Sequence, residues 1–293
     1  MNPSAPASVL DGLGLQNPEW RPWLDLLDAA RGEMASRAWN EAVPDTPSSP
    51  ADTPILDGGE LTLERSVADR WVRRLLTTAA RHGGPAAWLA EVARASTLDV
   101  FAVLEASIAA DRERLDAMAH ATGAEPGALA AVASIAAMPL LQACARRWTS
   151  RIPATWAHGY CPICGAWPAF AEARGLERAR RLRCARCGAD WWNEWLRCPY
   201  CGVRDHTRLG TLVPEAAGER RTVETCTVCR HYVKTLTTLT PTPAADVAVE
   251  DLATLDLDLV ALAQGYVGVD GLGHAPTARV IPRRRRGLFA ARR

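Results

Sequence analysis

The sequence carries no surplus of charge of either sign. Among 293 residues, 34 Lys and Arg stand against 33 Asp and Glu, for a formal net charge of +1. That balance excludes a strongly basic nucleic-acid binder at the level of the whole chain. Cysteine is too sparse for a disulfide-stapled scaffold, with nine in 293 positions. The first 20 residues contain neither a basic residue nor an apolar core segment, so no secretory signal is expected. The one long apolar run, residues 128–145, is alanine-rich and interrupted by Ser134, Pro139 and Gln142. A membrane span needs about 20 predominantly apolar residues, so this run is expected as a buried helix of a cytoplasmic protein without a span. In that compartment thiols stay reduced. No acid/base pair and no nucleotide-binding loop is visible.

A hydrophobic fraction of 48% with 23% charged residues fits a folded chain of about two domains. Residues 1–152 read as a helical domain. Trp23, Leu26, Leu27 and Ala30 recur at helical spacing after Pro22, and Val67, Trp71 and Leu75 mark a second face. Leu98, Phe101, Leu104, Ile108 and Leu115 are expected on one stripe running to Gly123, with Pro126 opening a further helix to Trp148. Residues 43–54, rich in Pro, Ser and Asp, read as a loop.

Residues 153–245 differ in character, with four Cys-x-x-Cys pairs, clustered Trp and short alternating segments. Strands are expected over 182–184, 191–196, 222–225 and 231–236. Residues 246–275 return to a helical period, and the stripe Leu252, Leu255, Leu259 and Leu262 is expected to pack on the body. Residues 276–293, with seven Arg, read as a mobile, solvated tail. The fold class is therefore α plus small β: a helical bundle, two tandem ribbon-like modules and a C-terminal helix.

The pairs are Cys161/Cys164, Cys184/Cys187, Cys198/Cys201 and Cys226/Cys229. A Cys-x-x-Cys turn points two sulfurs at one metal, and a tetrahedral site needs two such turns face to face. The spacing matches a ribbon in which a hairpin returns the second turn to the first. Two sites are expected: Cys161, Cys164, Cys184 and Cys187, then Cys198, Cys201, Cys226 and Cys229. Gly165, Gly188 and Gly202 follow three of the pairs, whereas Arg230 follows the fourth, where a less regular turn is expected. Redox dithiols or disulfides are the alternative use of such pairs. Cys144, on an apolar helical stripe, reads as a small buried hydrophobe. His158, His206 and His231 flank the pairs, but eight cysteines already close two sites.

Closed four-thiolate sites leave no position for a reacting water, so the chain is read as a non-enzyme. Zinc and iron both suit tetrahedral sulfur. Residues 153–245 carry a net charge of +5 before the thiolates are counted. Each M²⁺(Cys)₄ centre subtracts about 2, leaving a weak footprint for phosphate. A ribbon-type nucleic-acid-binding protein is thus the second reading, and an electron-transfer protein the third.

The run Tyr160-Cys161-Pro162-Ile163-Cys164-Gly165, with Cys184-Ala185-Arg186-Cys187, Leu196-Arg197-Cys198-Pro199-Tyr200-Cys201-Gly202 and Glu224-Thr225-Cys226-Thr227-Val228-Cys229, resembles the formate dehydrogenase accessory proteins, the FdhE family. Tyr232-Val233-Lys234, Glu250 to Leu255 and Gly265-Tyr266 continue the resemblance. It departs at Arg230, in the loop around residues 45–53 and at the arginine-rich end. The resemblance implies a cytoplasmic assembly factor for respiratory formate dehydrogenases that contacts the catalytic, molybdenum-containing subunit. It also implies two metal ions on the eight cysteines, rubredoxin-type iron before zinc, and a supporting role without formate oxidation.

Overall fold

The computed structural model describes residues 9–47, 52–214 and 220–283. The middle of the 43–54 loop and the arginines at 284–286 and 292–293 lie outside the described residues. The helical half runs through α1 (Val9–Gln16), α2 (Arg21–Met34), α3 (Arg37–Asn40), a short strand β1 (Glu60–Leu63), α4 (Arg65–Ala80), α5 (Leu89–Arg94), α6 (Val100–Ala109), α7 (Arg112–Thr122), α8 (Pro126–Ala136) and α9 (Met138–Trp148). On α4, Val67, Ala68, Trp71, Val72, Leu75 and Leu76 are buried at the helical period. The Trp71 indole N–H donates to the Ala136 carbonyl at 2.7 Å, and its ring meets Trp39 edge-on at 6.4 Å.

Two expected helices are each divided in the structure. The stripe from Leu98 to Leu115 breaks at Ala110, which is left-handed with φ of 51°. Asp111 then caps α7 by accepting from the Arg114 N–H at 3.0 Å, as Asp99 caps α6; a cap of this kind contributes about 1 kcal/mol. Gly123 ends α7 as expected. The apolar run beyond Pro126 breaks at Ala137, because Pro139 cannot supply the N–H that would continue α8. By length and composition the 126–151 stretch is apolar enough to cross a membrane, but 78% of its apolar window is buried inside the molecule.

The second half contains β2 (Phe170–Arg174), β3 (Ala179–Arg183), β4 (Asp190–Trp192), β5 (Leu209–Leu212), β6 (Arg221–Cys226) and β7 (Tyr232–Thr238). A topological repeat is present: in each ribbon, a Cys-x-x-Cys turn precedes a hairpin, and a second turn leads to a third antiparallel strand. The ribbons fuse where β2 and β7 pair in parallel, with Phe170 opposite Lys234. One six-stranded sheet results, in the order β4-β3-β2-β7-β6-β5. Helices with tandem ribbon-like modules are thus the fold, as the sequence leads one to expect.

The chain closes with α10 (Val247–Ala253), α11 (Leu255–Ala263) and β8 (Arg279–Pro282). Here the expected leucine stripe is corrected. Val247, Val249, Leu257 and Ala261 are buried, whereas Leu259 is 66% and Leu262 49% exposed. The Thr254 hydroxyl bonds back to the carbonyls of Glu250 and Asp251, which breaks the helix and changes the face that α11 turns to β6 and β7. Residues 276–283, read from the sequence as the start of a mobile tail, are tied down. Arg279–Pro282 pairs in parallel with β1, and the Thr277 N–H donates to Asp57 at 2.9 Å. One core runs from the helices into the first ribbon and includes Trp39, Trp71, Leu182 and Trp191. A second core lies between the sheet and the last helices, around Phe170, Val223 and Leu257.

Candidate metal centres

Four turns of the same backbone geometry carry the eight cysteines. In each, the first cysteine's N–H donates to a carbonyl five residues on, and its carbonyl accepts from the N–H four residues on. The first bond is Cys161 to Ala166 (2.7 Å), Cys184 to Ala189 (3.0 Å), Cys198 to Val203 (2.9 Å) and Cys226 to His231 (3.0 Å). The donors of the second bond are Gly165, Gly188, Gly202 and Arg230, all left-handed. Arg230, with φ of 63°, takes the place of glycine without distorting the turn, contrary to the irregularity expected. Its side chain is anchored outside the turn. It donates to the Gly265 carbonyl at 2.8 Å and lies 4.7 Å over the Tyr266 ring.

The structure brings the sulfurs into the two expected quartets, with all ligand atoms of a quartet within 4.8 Å of one another. Cys161 and Cys187 are 3.5 Å apart, and Cys164 and Cys184 3.6 Å. Cys198 and Cys229 are 3.6 Å apart, and Cys201 and Cys226 3.7 Å. A tetrahedron with metal–sulfur bonds of about 2.3 Å has edges of about 3.8 Å. The donor set therefore fits a four-coordinate thiolate-bound ion, and all nine cysteines are free of disulfide bonds.

The two quartets sit in different surroundings. The first is wholly buried within the main core. Its first turn is strapped by the N–H groups of Ile55 and Leu56, which donate to Pro162 and Ile163 at 2.8 and 3.1 Å. A Cβ on Gly165 would fall 1.9 Å from the His274 carbonyl oxygen, and one on Gly188 2.6 Å from the Ala244 methyl. In the second quartet Cys198 and Cys226 are buried, Cys229 is half-buried and Cys201 is exposed.

The thiols of each quartet are polarised unequally. Burial pushes Cys161 and Cys187 up, while hydrogen bonds from Cys161, Cys184 and Cys187 hold Cys164 well below the ordinary thiol range. The charge of Arg186 helps in the same direction; its guanidinium is anchored on the carbonyls of Ser107 and Ile108 at the end of α6. In the second quartet burial raises Cys198 and Cys229, the latter to about 11. Burial also opposes ionisation of Cys226, but the N–H groups of Cys229 and Val228 outweigh it and hold this thiol low. Capture of an ion by such a quartet releases protons from the remaining thiols.

Cys144 is fully buried on α9 in the same core as the first quartet but joins neither quartet, and burial, helped by the nearby Cys164, raises its thiol. None of the three flanking histidines joins a quartet. His158 stacks on Tyr160 at 4.7 Å, His206 lies in a 3₁₀ turn, and His231 Nδ1 is 3.1 Å from the Val267 carbonyl. Sequence reasoning missed the charged joint between the ribbons. Lys234 is 3% exposed, with its Nζ 2.6 Å from Asp251 and 2.8 Å from Asp258. The Tyr232 hydroxyl donates to Asp258 at 2.8 Å. A cavity of about 270 Å³ beside this joint is lined by Trp167, Tyr200, Tyr232, Lys234 and Arg186. The available signal was compositional, for Lys234 is the one lysine in the sequence.

Comparison with known proteins finds similarity over part of the chain. Residues 196–269, which hold the second quartet and the last helices, match the family described as FdhE, C-terminal domain. A protein named FdhE homolog from Aquifex aeolicus is 31% identical over 118 residues, or 39% of this chain and 41% of the relative. Another from Stutzerimonas stutzeri is 37% identical over 109 residues, or 36% and 35% of the two chains. These matches span less than half of either relative. The crystal structure of the FdhE protein from Pseudomonas aeruginosa shares the fold with a TM-score of 0.53, at 22% identity over 92% of this chain and 93% of that one. Residues 196–269 of the chain are thus similar to the FdhE C-terminal domain, and the chain shares the fold of a solved FdhE protein.

Proposed function

We propose that this chain is an accessory factor required for the activity of respiratory formate dehydrogenase. It acts in the cytoplasm by binding the catalytic subunit and turns over no substrate itself. Residues 1–152 form its helical domain and residues 153–245 a double metal module. The last helices, 246–275, complete the body. Cys161, Cys164, Cys184 and Cys187 hold one ion, and Cys198, Cys201, Cys226 and Cys229 a second. The observation that carries the reading is the pair of sulfur quartets, spaced for tetrahedral coordination, in a chain matching the FdhE C-terminal domain. Four thiolates per ion supply folding energy to a small β module, on the order of 10 kcal/mol per site, and leave no ligand position for a reactant.

Iron of the rubredoxin type is the ion favoured by the family resemblance, and zinc is the alternative. A redox role of the centres has one observation in its favour. Ring contacts run from Tyr160 beside the first quartet through Trp167 and Tyr200 to His231 beside the second, at 5.9, 5.3 and 5.2 Å between centroids.

The test is capture of a formate dehydrogenase catalytic subunit by the purified full chain, alongside formate dehydrogenase activity in cells carrying Cys161→Ser with Cys164→Ser. Capture by the parent chain and loss of cellular activity in the variant are expected. Full activity in the variant, or turnover of formate by the purified chain, contradicts the proposal.

A further inference from the structure

We infer that the second quartet is an exchange site, which passes its ion to an incoming thiol ligand through Cys201, whereas the first quartet keeps its ion as part of the fold. The inference rests on the reading that both quartets bind metal. It is carried by the unequal cover of two sites built from the same turn.

The first quartet is enclosed by three segments distant in sequence. Residues 55–56 bond to its first turn, the His274 backbone presses on Gly165, and Ala244 presses on Gly188. All four of its cysteines are buried, and they share the core with Trp191 and the helical half. An incoming ligand reaches those sulfurs only after the body opens, at a cost approaching that of global unfolding.

The second quartet lacks this enclosure on one side. The side toward the body is shut, since a Cβ on Gly159 would lie 1.7 Å from the Pro199 carbonyl oxygen. The opposite side is open. Cys201 is exposed and Cys229 half-buried, and Val228, between the last two cysteines, is 55% exposed. At Gly202 an added Cβ would meet nothing nearer than the Arg197 guanidinium at 3.8 Å. Cys201 is therefore the ligand that can leave while the others hold.

The exchange balances without an oxidant. An incoming thiol forms a metal–sulfur bond as the metal–Cys201 bond breaks, and the proton of the incoming thiol passes to the departing Cys201 sulfur. Repetition at the partly open Cys229 side, and then at Cys226 and Cys198, breaks the remaining metal–sulfur bonds and completes transfer. The natural acceptor is thus a ligand of the thiol class, small or protein-borne, since a soft sulfur donor competes with thiolates on their own terms.

The experiment loads the full chain with Zn²⁺ and counts ions by native mass spectrometry. It then follows metal release to excess dithiothreitol and maps N-ethylmaleimide labelling over time. Two ions at the start, one leaving at least tenfold faster, and first labelling at Cys201 are expected. A Cys201→Ser chain should keep the slow ion and its helical circular dichroism and show no fast phase. Release of both ions at one rate, earlier labelling of Cys161, Cys164, Cys184 or Cys187, or a persistent fast phase in Cys201→Ser overturns the inference while leaving two bound ions in place. A starting count below two overturns the metal-binding reading as well, and so separates the two failures.

Discussion

The Lys234 ammonium lies 2.8 Å from the Asp258 carboxylate, joining β7 to α11 at the strand where the two ribbons meet. With its side chain 3% exposed, the lysine also donates to the Asp251 carbonyl at 2.8 Å. All its donors are satisfied within the protein. Replacing it with methionine keeps the stem but leaves Asp258 without its counter-charge. Removal of one partner of a buried pair costs about 3 kcal/mol, so Lys234→Met should lower the urea midpoint clearly. An unchanged midpoint would show that the joint is held by its apolar contacts alone.

Asp190 provides a pH-dependent test of the sheet's other end. Its burial alone would raise the carboxyl, but hydrogen bonds and charge from Arg181 and Arg174 hold it below the ordinary range. A folded-state pKa below the unfolded value, about 3.9, means that the contribution is complete above that value. It is lost as the pH falls through the folded pKa. Asp190→Asn should therefore be less stable than the parent at pH 7, with the difference shrinking below about pH 4. Equal pH profiles of the two chains in chemical denaturation would remove this role.

Arg230 occupies a left-handed position at which a non-glycine residue pays about 1 kcal/mol. Its hydrogen bond to Gly265 and its place over Tyr266 offset a similar amount. Arg230→Gly should change overall stability by no more than about 1 kcal/mol, while amides of residues 264–267 exchange hydrogen faster. Unchanged exchange there would mean that the arginine does not hold the end of α11.

Trp71 tests the helical half. Its N–H bond to Ala136 is buried, and Trp71→Phe leaves that carbonyl unpaired as well as reducing packing. A loss of about 2 kcal/mol or more is expected in urea denaturation, and a neutral effect would place the junction of α8 and α9 under other control.

What the sequence made legible follows from how local each feature is. The Cys-x-x-Cys turns were readable because a turn, its following left-handed residue and two sulfurs are set by about five consecutive residues. The strand β2 was not. Phe170-Ala-Glu-Ala-Arg174 has helical composition, and it becomes a strand through pairing with β3 on one side and β7 on the other. Its fully buried Glu172 is stabilised only there, by Arg183 at 2.7 Å and the Thr242 N–H at 2.9 Å. The parallel pair of β1 and β8 joins segments far apart in the chain and leaves no local periodicity to read. The leucines of α11 misled for a related reason. Leucine spacing identifies a helix, but the Thr254 break and the inward bond of Asp258 to Lys234 decide which face is buried.

X-ray absorption at the metal edge, on the full chain purified without added chelator, tests the central claim most directly when combined with a metal count. Two ions per chain, each with four sulfur neighbours near 2.3 Å, are expected. Fewer than two ions, oxygen or nitrogen ligands in the coordination shell, or cystines linking Cys161, Cys164, Cys184 and Cys187 would contradict it.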